Sequence, residues 1–208
     1  MKADPREYWN ARAKSYDSSV GGIYADAYKK TASRSLDYLK AEDDVLEFAC
    51  GTGVVTLSLA PHVKSLTAID ISDGMIREAR EKAGDHYPNL TFKNTGLWSD
   101  ELVRESFDVV GAYNVLLYLE EPEKAIRRIY ELLKPGGVFL SVTDCLGGVP
   151  TVAAAKRFGR VLKGEIPRVS FFTPSSLARR IEAGGFAVLE KENLYHRPPN
   201  LFIAAKKR

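Results

Sequence analysis

The feature that most constrains the fold is an apolar segment, residues 45–48, that leads into the glycine turn Gly51-Thr52-Gly53. A second apolar segment follows and ends at Asp70. Glycines after a strand let backbone N–H groups approach a ligand, and an acid at the end of the next strand can bind ribose hydroxyls. The pattern is typical of an α/β protein that binds a nucleoside.

Two features indicate which nucleoside. The third glycine of the dinucleotide-binding motif would fall at Thr56 and is absent, which argues against a nicotinamide or flavin dinucleotide. The carboxylate of Glu47, at the end of a buried strand, requires a cation or hydrogen-bond donors, and a ligand ammonium group is one such partner. Asp70 can accept both ribose hydroxyls at once. A ligand with an ammonium, a carboxylate and a ribose but no phosphate is S-adenosylmethionine.

The alternation of strand and helix patterns predicts a mostly parallel sheet with helices on both faces. Predicted strands lie at residues 44–49, 65–70, 90–92, 107–112, 138–142, 186–189 and 201–205. The last two are joined by about ten residues that include Pro198 and Pro199 and show no helical pattern. A parallel crossover normally contains a helix, so this pair is predicted to be antiparallel. The fold class is therefore a Rossmann-like, seven-stranded α/β sheet with an antiparallel C-terminal strand.

Turn and capping residues place the helices. Helices are predicted at 5–18 and 23–40, from 53 to Pro61, from Ser72 to Gly84, from Pro122 to Lys134, and from Thr173 to Gly184. The first two would form an N-terminal helical cap over residues 1–40. The whole chain, 1–208, is predicted to be one domain.

The segment 147–172 lies between the fifth strand and the helix at Thr173. Four apolar residues fall on one face of a predicted helix here, namely Val152, Ala155, Phe158 and Leu162. One interpretation is a surface helix packed on the sheet edge. The other is a substrate lid, because ligands bind beyond the carboxyl ends of parallel strands.

Composition excludes several classes of protein. A net charge of +3 does not indicate nucleic-acid binding, and DNA is not expected as a partner. Two cysteines, Cys50 and Cys145, suggest no disulfide framework, and Cys50 is interpreted as a small apolar residue. Three scattered histidines show no metal-ligand spacing, so no metal is expected. The longest apolar stretch, 109–119, is too short to span a bilayer, which favours a cytoplasmic protein without membrane insertion.

Several motifs together resemble one family, the class I S-adenosylmethionine-dependent methyltransferases. Its first motif is similar to residues 47–53, its second-strand signature to residues 68–75, its fourth-strand motif to 107–116, and its turn before the fifth strand to 132–137. The opening segment with Trp9, Tyr16 and Asp17 resembles that of small-molecule members, including enzymes of the quinone-biosynthesis type.

The resemblance implies a role for each matching position. Glu47 would approach the methionine ammonium directly or through water, and Asp70 would hold the ribose diol. The remaining implied cofactor contacts are backbone at Ala49, Gly51 and Gly53 along the methionine, Ile71 and Met75 around the adenine, Asn114 or the backbone of Tyr113 near the methionine end, and Tyr16 closing over the cofactor.

Two positions depart from the family pattern. Ala49 stands where the first motif often has glycine, and the stretch 94–98 lacks the acid that many members place near the adenine amino group. Adenine recognition would then involve the backbone near Gly96 and Leu97, or the side chains of Asn94 and Thr95.

The predicted function is direct methyl transfer from S-adenosylmethionine to a small, fairly apolar acceptor. The alternatives are a protein or RNA methyltransferase, a non-catalytic binding or assembly module of the same fold, and a dinucleotide oxidoreductase. The sequence identifies no catalytic base; His196, between the last two strands, would qualify only if that connection folds over the site. It does not distinguish a monomer from a dimer.

Overall fold

A computed structural model describes residues 3–21, 24–147, 152–196 and 198–208. Its strands are β1 Asp44–Phe48, β2 Ser65–Asp70, β3 Leu90–Asn94, β4 Phe107–Tyr113, β5 Leu133–Asp144, β6 Phe186–His196 and β7 Pro199–Lys207. They form a seven-stranded sheet in the order β3-β2-β1-β4-β5-β7-β6. The first five strands are parallel, and β7 runs antiparallel to both of its neighbours. The predicted fold class is confirmed.

The helices within the described residues are α1 Pro5–Asn10, α2 Ala13–Val20, α3 Ala25–Leu36, α4 Thr56–Leu59, α5 Asp73–Ala83, α6 Pro122–Leu132, α7 Val152–Leu162 and α8 Pro174–Ala183. Two short 3₁₀ turns lie at Ala60–His62 and Leu116–Tyr118. None of these described helices is long and apolar enough to cross a lipid bilayer.

Successive residues of the central strands belong to two different apolar layers. Leu46 and Ile69 pack in one layer with residues of α6 and α8, while Val45 and Leu66 pack in the other with residues of α4 and α5. Because side chains alternate across a strand, both faces of the sheet are buried and need helical cover. The sheet order reverses between β1 and β4, and a crevice for ligands forms at such a reversal.

Local capping signals were predicted correctly. The Ser72 hydroxyl accepts a hydrogen bond from the Met75 N–H at 3.0 Å and begins α5, which Gly84 ends with a φ of 51°. Thr173 and Ser176 form a reciprocal capping box at the start of α8. These devices act over a few residues, so the sequence is sufficient to locate them.

The helical cap and the first crossover differ from the prediction. The helix predicted at 5–18 is two helices, because the chain turns after Asn10, whose side chain bonds to the start of α5. The helix predicted at 23–40 ends at Leu36, and its first predicted residue, Ile23, lies outside the described residues. The helix predicted from 53 begins only at Thr56, since the chain first turns through residues with positive φ.

The C-terminal strands are much longer than predicted. β6 and β7 pair from Phe186–Lys207 to His196–Pro199, so the expected ten-residue connection is wrong. β6 forms the edge of the sheet, and edge strands often carry charged residues such as Glu190 and Glu192. These charges make the sequence of β6 resemble that of a loop. Similarly, the predicted turn at 134–137 belongs to the beginning of β5, where Leu133 already pairs with Phe107 before a bulge.

Candidate active site

The carboxyl ends of β1, β2, β4 and β5 open into a cavity of about 760 Å³. Residues of α1, α2 and α3 form its roof, and residues of α7 and the segment after it contribute a side wall. Nine of the eleven predicted site residues line it, namely Tyr16, Ala49, Gly51, Asp70, Ile71, Met75, Gly96, Leu97 and Asn114. Glu47 and Gly53 do not.

The glycine turn depends on left-handed backbone. Ala49, Gly51 and Gly53 have φ values of 58°, 56° and 78°. A Cβ at Gly51 would meet no atom within 4 Å, so glycine is favoured there by conformation and not by crowding. Gly53 instead packs behind the turn, where a Cβ would lie 3.4 Å from Ala79 and 3.5 Å from Phe92.

Asp70 is held by two backbone N–H groups, one in the glycine turn and one at the start of α5. One carboxylate oxygen accepts from the Gly51 N–H at 2.9 Å, and the other accepts from the Ser72 N–H at 2.8 Å. Burial raises the pKa of Asp70, while these backbone bonds oppose the rise. Each oxygen retains a second acceptor site. The carboxylate is therefore fixed in place and can still accept from two vicinal hydroxyls.

Glu47 lies beside the cavity and not in its lining. Its side chain is 3% exposed, and its Oε2 has no hydrogen-bond partner among the described residues. Burial raises the pKa of Glu47 to about 8; the Thr56 hydroxyl opposes the rise and the charge of Asp70 adds to it. At neutral pH this carboxyl is largely protonated in the unliganded protein.

The part of the cavity where the adenine contacts are predicted is apolar and has no acid from the segment 94–98. Ile71, Met75, Gly96 and Leu97 line this part of the cavity. Asn94 does not line it, because its amide donates to the Asp70 carbonyl at 3.0 Å and holds the end of β3 against β2. Of the predicted adenine contacts, the backbone near Gly96 and Leu97 is the part that the cavity exposes.

Two hydrogen-bonded latches fasten the roof to the cofactor motifs, and the sequence analysis missed both. The Asn10 Oδ1 accepts from the Ser72 hydroxyl at 2.5 Å and from the Gly74 N–H at 3.1 Å. The Asp17 carboxylate accepts from the Thr52 hydroxyl at 2.5 Å and from Lys82 at 2.6 Å. The first latch joins α1 to α5, and the second joins α2 to the glycine turn.

The inner surface of the roof is aromatic. The Tyr16 hydroxyl bonds to the Tyr28 hydroxyl at 2.8 Å, and burial raises the Tyr16 pKa well above its usual value. The Trp9 ring lies 6.1 Å from the Tyr16 ring and 5.2 Å from the Tyr118 ring, in edge-to-face contacts. All four side chains line the cavity.

A polar cluster occupies the tips of β4 and β5. The Asn200 amide donates to Asn114 Oδ1 at 2.9 Å and to Asp144 Oδ1 at 2.8 Å. Arg157 of α7 donates to Asp144 Oδ2 at 3.3 Å. Asn114 has a φ of 55°, which asparagine tolerates better than most residues. The sequence analysis missed Asp144, although it ends β5 as Asp70 ends β2.

The segment 147–172 combines features of both interpretations. Residues 148–151 lie outside the described residues. The predicted apolar face of α7 points to solvent, since Val152, Phe158 and Leu162 are 74%, 52% and 71% exposed. The helix instead contacts the core through Ala154 and Val161. Arg157, Pro167 and Arg168 line the cavity.

Two further candidates lie away from the cavity lining. His196 is exposed at the end of β6. Cys50 is buried among apolar residues, and this burial raises its pKa well above the usual value. A protonated, enclosed thiol is a poor nucleophile, in agreement with its interpretation as a small apolar residue.

Comparison with known proteins identifies the family. Residues 45–137 match the family model of a methyltransferase domain. The chain is 26% identical over 158 residues to the ubiquinone biosynthesis O-methyltransferase of Coxiella burnetii, covering 74% of this chain and 68% of that protein. It is 36% identical over 151 residues to phosphoethanolamine N-methyltransferase 1 of Triticum aestivum, covering 67% and 30%.

The fold has a close structural counterpart. A chain from the complex between the Haloferax volcanii Trm112 methyltransferase activator and a methyltransferase superposes with a TM-score of 0.80 at 16% identity, covering 98% of this chain and 97% of that one. The glycine turn, the sheet order and the named relatives all point to a methyltransferase. The methyltransferase-domain match and the relatives support a class I S-adenosylmethionine-dependent methyltransferase with S-adenosylmethionine as its cofactor.

Proposed function

We propose that this enzyme methylates a small, fairly apolar acceptor by direct transfer. The observation that carries the proposal is the roofed, largely aromatic cavity of about 760 Å³ at the carboxyl ends of the parallel strands. Sites for small molecules and cofactors typically measure about 300–1,000 Å³. The cavity can accommodate the cofactor and a small acceptor together, and the roof leaves little room for a macromolecule.

The cofactor would lie across the strand tips from β2 to β4. Asp70 would accept the ribose hydroxyls, and the backbone of Ala49 and Gly51 would follow the methionine chain. Ile71 and Met75 would enclose the adenine, with the backbone of Gly96 and Leu97 at its edge. Asn114 would stand near the methionine end, and Tyr16 would cover the cofactor from above. All these residues line the cavity, which supports their assignment.

Glu47 requires a more indirect role. Because its carboxyl lies outside the cavity lining, it would influence the methionine ammonium through water or through its charge, and not by direct contact. Gly53 would also have an indirect role, because it allows the glycine turn to pack on Ala79 and Phe92.

The chemistry asks little of the protein beyond positioning. S-adenosylmethionine, when bound, supplies a methyl group activated as a sulfonium with a neutral thioether as leaving group. The fixed strand tips and the aromatic roof would align the acceptor and exclude water. Positioning of this kind can lower a barrier by about 7–11 kcal/mol.

The alternatives receive less support. The two curated relatives named above are called an O-methyltransferase and an N-methyltransferase, and their names refer to small molecules, which favours a small-molecule acceptor without choosing between oxygen and nitrogen. A protein or RNA methyltransferase would need an open groove where α1 to α3 cover the cavity. A non-catalytic module would agree with the missing adenine acid but not with a cavity larger than the cofactor requires.

The first test is ligand-dependent stability. S-adenosylmethionine or S-adenosylhomocysteine at about 100 times its dissociation constant should stabilise the fold by about 2.7 kcal/mol, and NAD should not. Transfer of labelled methyl is then measured with catechol, hydroquinone and 2-phenylethylamine as probes. Stabilisation by NAD alone would contradict the proposal. Cofactor binding without transfer to any small molecule would instead favour the binding module.

A further inference from the structure

We propose that Asp144 is the catalytic base that takes the acceptor's proton, and that Arg157 of α7 is the residue that positions it. This inference rests on the proposed function, because it concerns the acceptor end of the same cavity. It supplies the proton acceptor that the sequence did not reveal.

The order of the strands places Asp144 at the acceptor end. Along the sheet edge the tips follow in the order β2, β1, β4 and β5, so Asp70 and Asp144 end strands three spacings apart, or about 14 Å. A cofactor held by its ribose at Asp70 and reaching toward Asn114 on β4 leaves β5 as the next tip. The groups beyond the reactive end of the cofactor therefore include Asp144.

The other acids among the described lining residues are Asp4, Asp70 and Glu120. Asp4 and Glu120 are exposed, whereas Asp70 is as buried as Asp144 but lies at the tip of β2, where it would hold the ribose. Asp144 is 7% exposed and reaches the cavity. An enclosed carboxylate that faces a reaction cavity can accept a proton without competition from bulk water.

The partners of Asp144 fix its orientation but leave it able to accept a proton. Asn200 donates to one oxygen at 2.8 Å, and Arg157 donates to the other at 3.3 Å through a single nitrogen. Among the described residues each Asp144 oxygen has one of these donors, and each can accept two hydrogen bonds. Asn200 also bonds to Asn114, so the base is tied to the strand tip expected at the methionine end.

Arg157 comes from the helix that walls the acceptor side. Its guanidinium lies beside the Asp144 carboxylate at 3.3 Å, and its position on α7 joins Asp144 to the side wall of the cavity. Tyr24 and Tyr118 also line the cavity, and each interacts electrostatically with both Asp144 and Arg157. An aromatic or apolar acceptor would place its protic group between these rings and the carboxylate.

In the proposed step a methyl group passes to a hydroxyl of the acceptor and a proton passes to Asp144. The acceptor oxygen forms a bond to the methyl carbon, the sulfur–methyl bond breaks, and its electron pair stays on sulfur. The proton of the acceptor passes to a carboxylate oxygen of Asp144. S-adenosylhomocysteine, the methylated acceptor and a protonated Asp144 result, and water later removes the proton.

The test compares two probes that differ in their need for a base. Catechol is neutral at neutral pH, whereas 4-nitrocatechol has an ionised hydroxyl under the same conditions. Asp144→Asn should lower the transfer rate to catechol by about 10²- to 10⁴-fold. It should lower the rate to 4-nitrocatechol by less than about tenfold, because that acceptor needs no proton removal. The dissociation constant of S-adenosylmethionine should change by less than about twofold, since a removed general base contributes to the transition state only.

Two further variants complete the experiment. Arg157→Met should lower the transfer rate to catechol by a larger factor than the rate to 4-nitrocatechol, because a carboxylate that has lost its Arg157 donor is no longer held in place to take the acceptor's proton. This readout also serves if Asp144→Asn does not fold. Glu131→Gln is the matched control, since Glu131 pairs with Arg128 outside the cavity lining, and its rates should equal those of the wild type.

Three results would overturn the inference. They are equal loss of both probe activities in Asp144→Asn, no loss with catechol, and a wild-type enzyme that binds S-adenosylmethionine but methylates neither phenol. In the last case transfer to the amine probe would leave the proposed function standing. Failure of S-adenosylmethionine to stabilise the wild type would contradict the proposed function itself.

Discussion

Replacing Glu47 by glutamine should change how the stability of the protein depends on pH. The side chain is buried, and its pKa is raised from 4.5 to about 8. Between these two values the folded state holds a proton that the unfolded state has lost. Stability therefore falls as pH rises through this range in the wild type. Glutamine does not titrate, so the variant lacks this component.

The size of the effect follows from the linkage relation. Between about pH 5.5 and about pH 7.5 the Glu47 carboxyl should lower the wild-type free energy of unfolding by about 2.5 kcal/mol. The free energy of unfolding of Glu47→Gln, relative to that of the wild type, should therefore rise by the same amount as the pH increases over this range. Urea unfolding at several pH values measures it. Glu101→Gln, which alters an exposed carboxylate paired with Lys93, is the control.

A flat difference between the two pH values would refute the reasoning, because it would mean that Glu47 is solvated or already paired in the folded protein. The same titration in saturating S-adenosylmethionine examines the proposed role of Glu47. If the bound ammonium acts on Glu47, it lowers the pKa of this carboxyl, and the pH dependence becomes weaker.

Three other substitutions give defined outcomes. Asp70→Asn should weaken S-adenosylmethionine binding by about a hundredfold in calorimetry, because hydrogen bonds to a charged acceptor contribute about 1.5–3 kcal/mol each; unchanged affinity would exclude the ribose role. Asn10→Ala should speed cofactor dissociation by about tenfold in stopped-flow, whereas Asn89→Ala, which loses bonds to the Ala60 and Val63 carbonyls, should not. Ala49→Gly should stabilise the fold by about 0.5–1 kcal/mol in urea unfolding, since it removes the cost of left-handed backbone, and a destabilised variant would contradict this.

The parts of the fold that sequence analysis predicted are those encoded locally. The strand before Gly51, the acid at the end of β2 and the caps at Ser72 and Thr173 depend on neighbouring residues, so a few positions suffice to read them. The length of β6 was missed because its exposed edge carries charges that also occur in loops. The break after Asn10 was missed because its cause lies more than 60 residues away, at Ser72.

The candidate site shows the same division. Most of the predicted residues that line the cavity lie between Ala49 and Leu97, in one stretch of motifs. Asp144, Arg157 and Asn200 were not predicted, since they come from three separate elements and meet only after folding. Glu47 illustrates a subtler limit: the sequence places an acid at the end of β1 but does not reveal that its carboxyl lies outside the cavity lining.

The two latches have a consequence for how disturbances spread through the molecule. Thr52 lies in the glycine turn and Asp17 lies in α2 of the roof, and one hydrogen bond joins the two side chains. Thr52→Val removes this hydrogen bond, so amide hydrogen exchange in α2 should become faster. Binding of the cofactor at the strand tips should therefore slow amide hydrogen exchange in α1 and α2. Exchange in these two helices can then report whether the cofactor is bound.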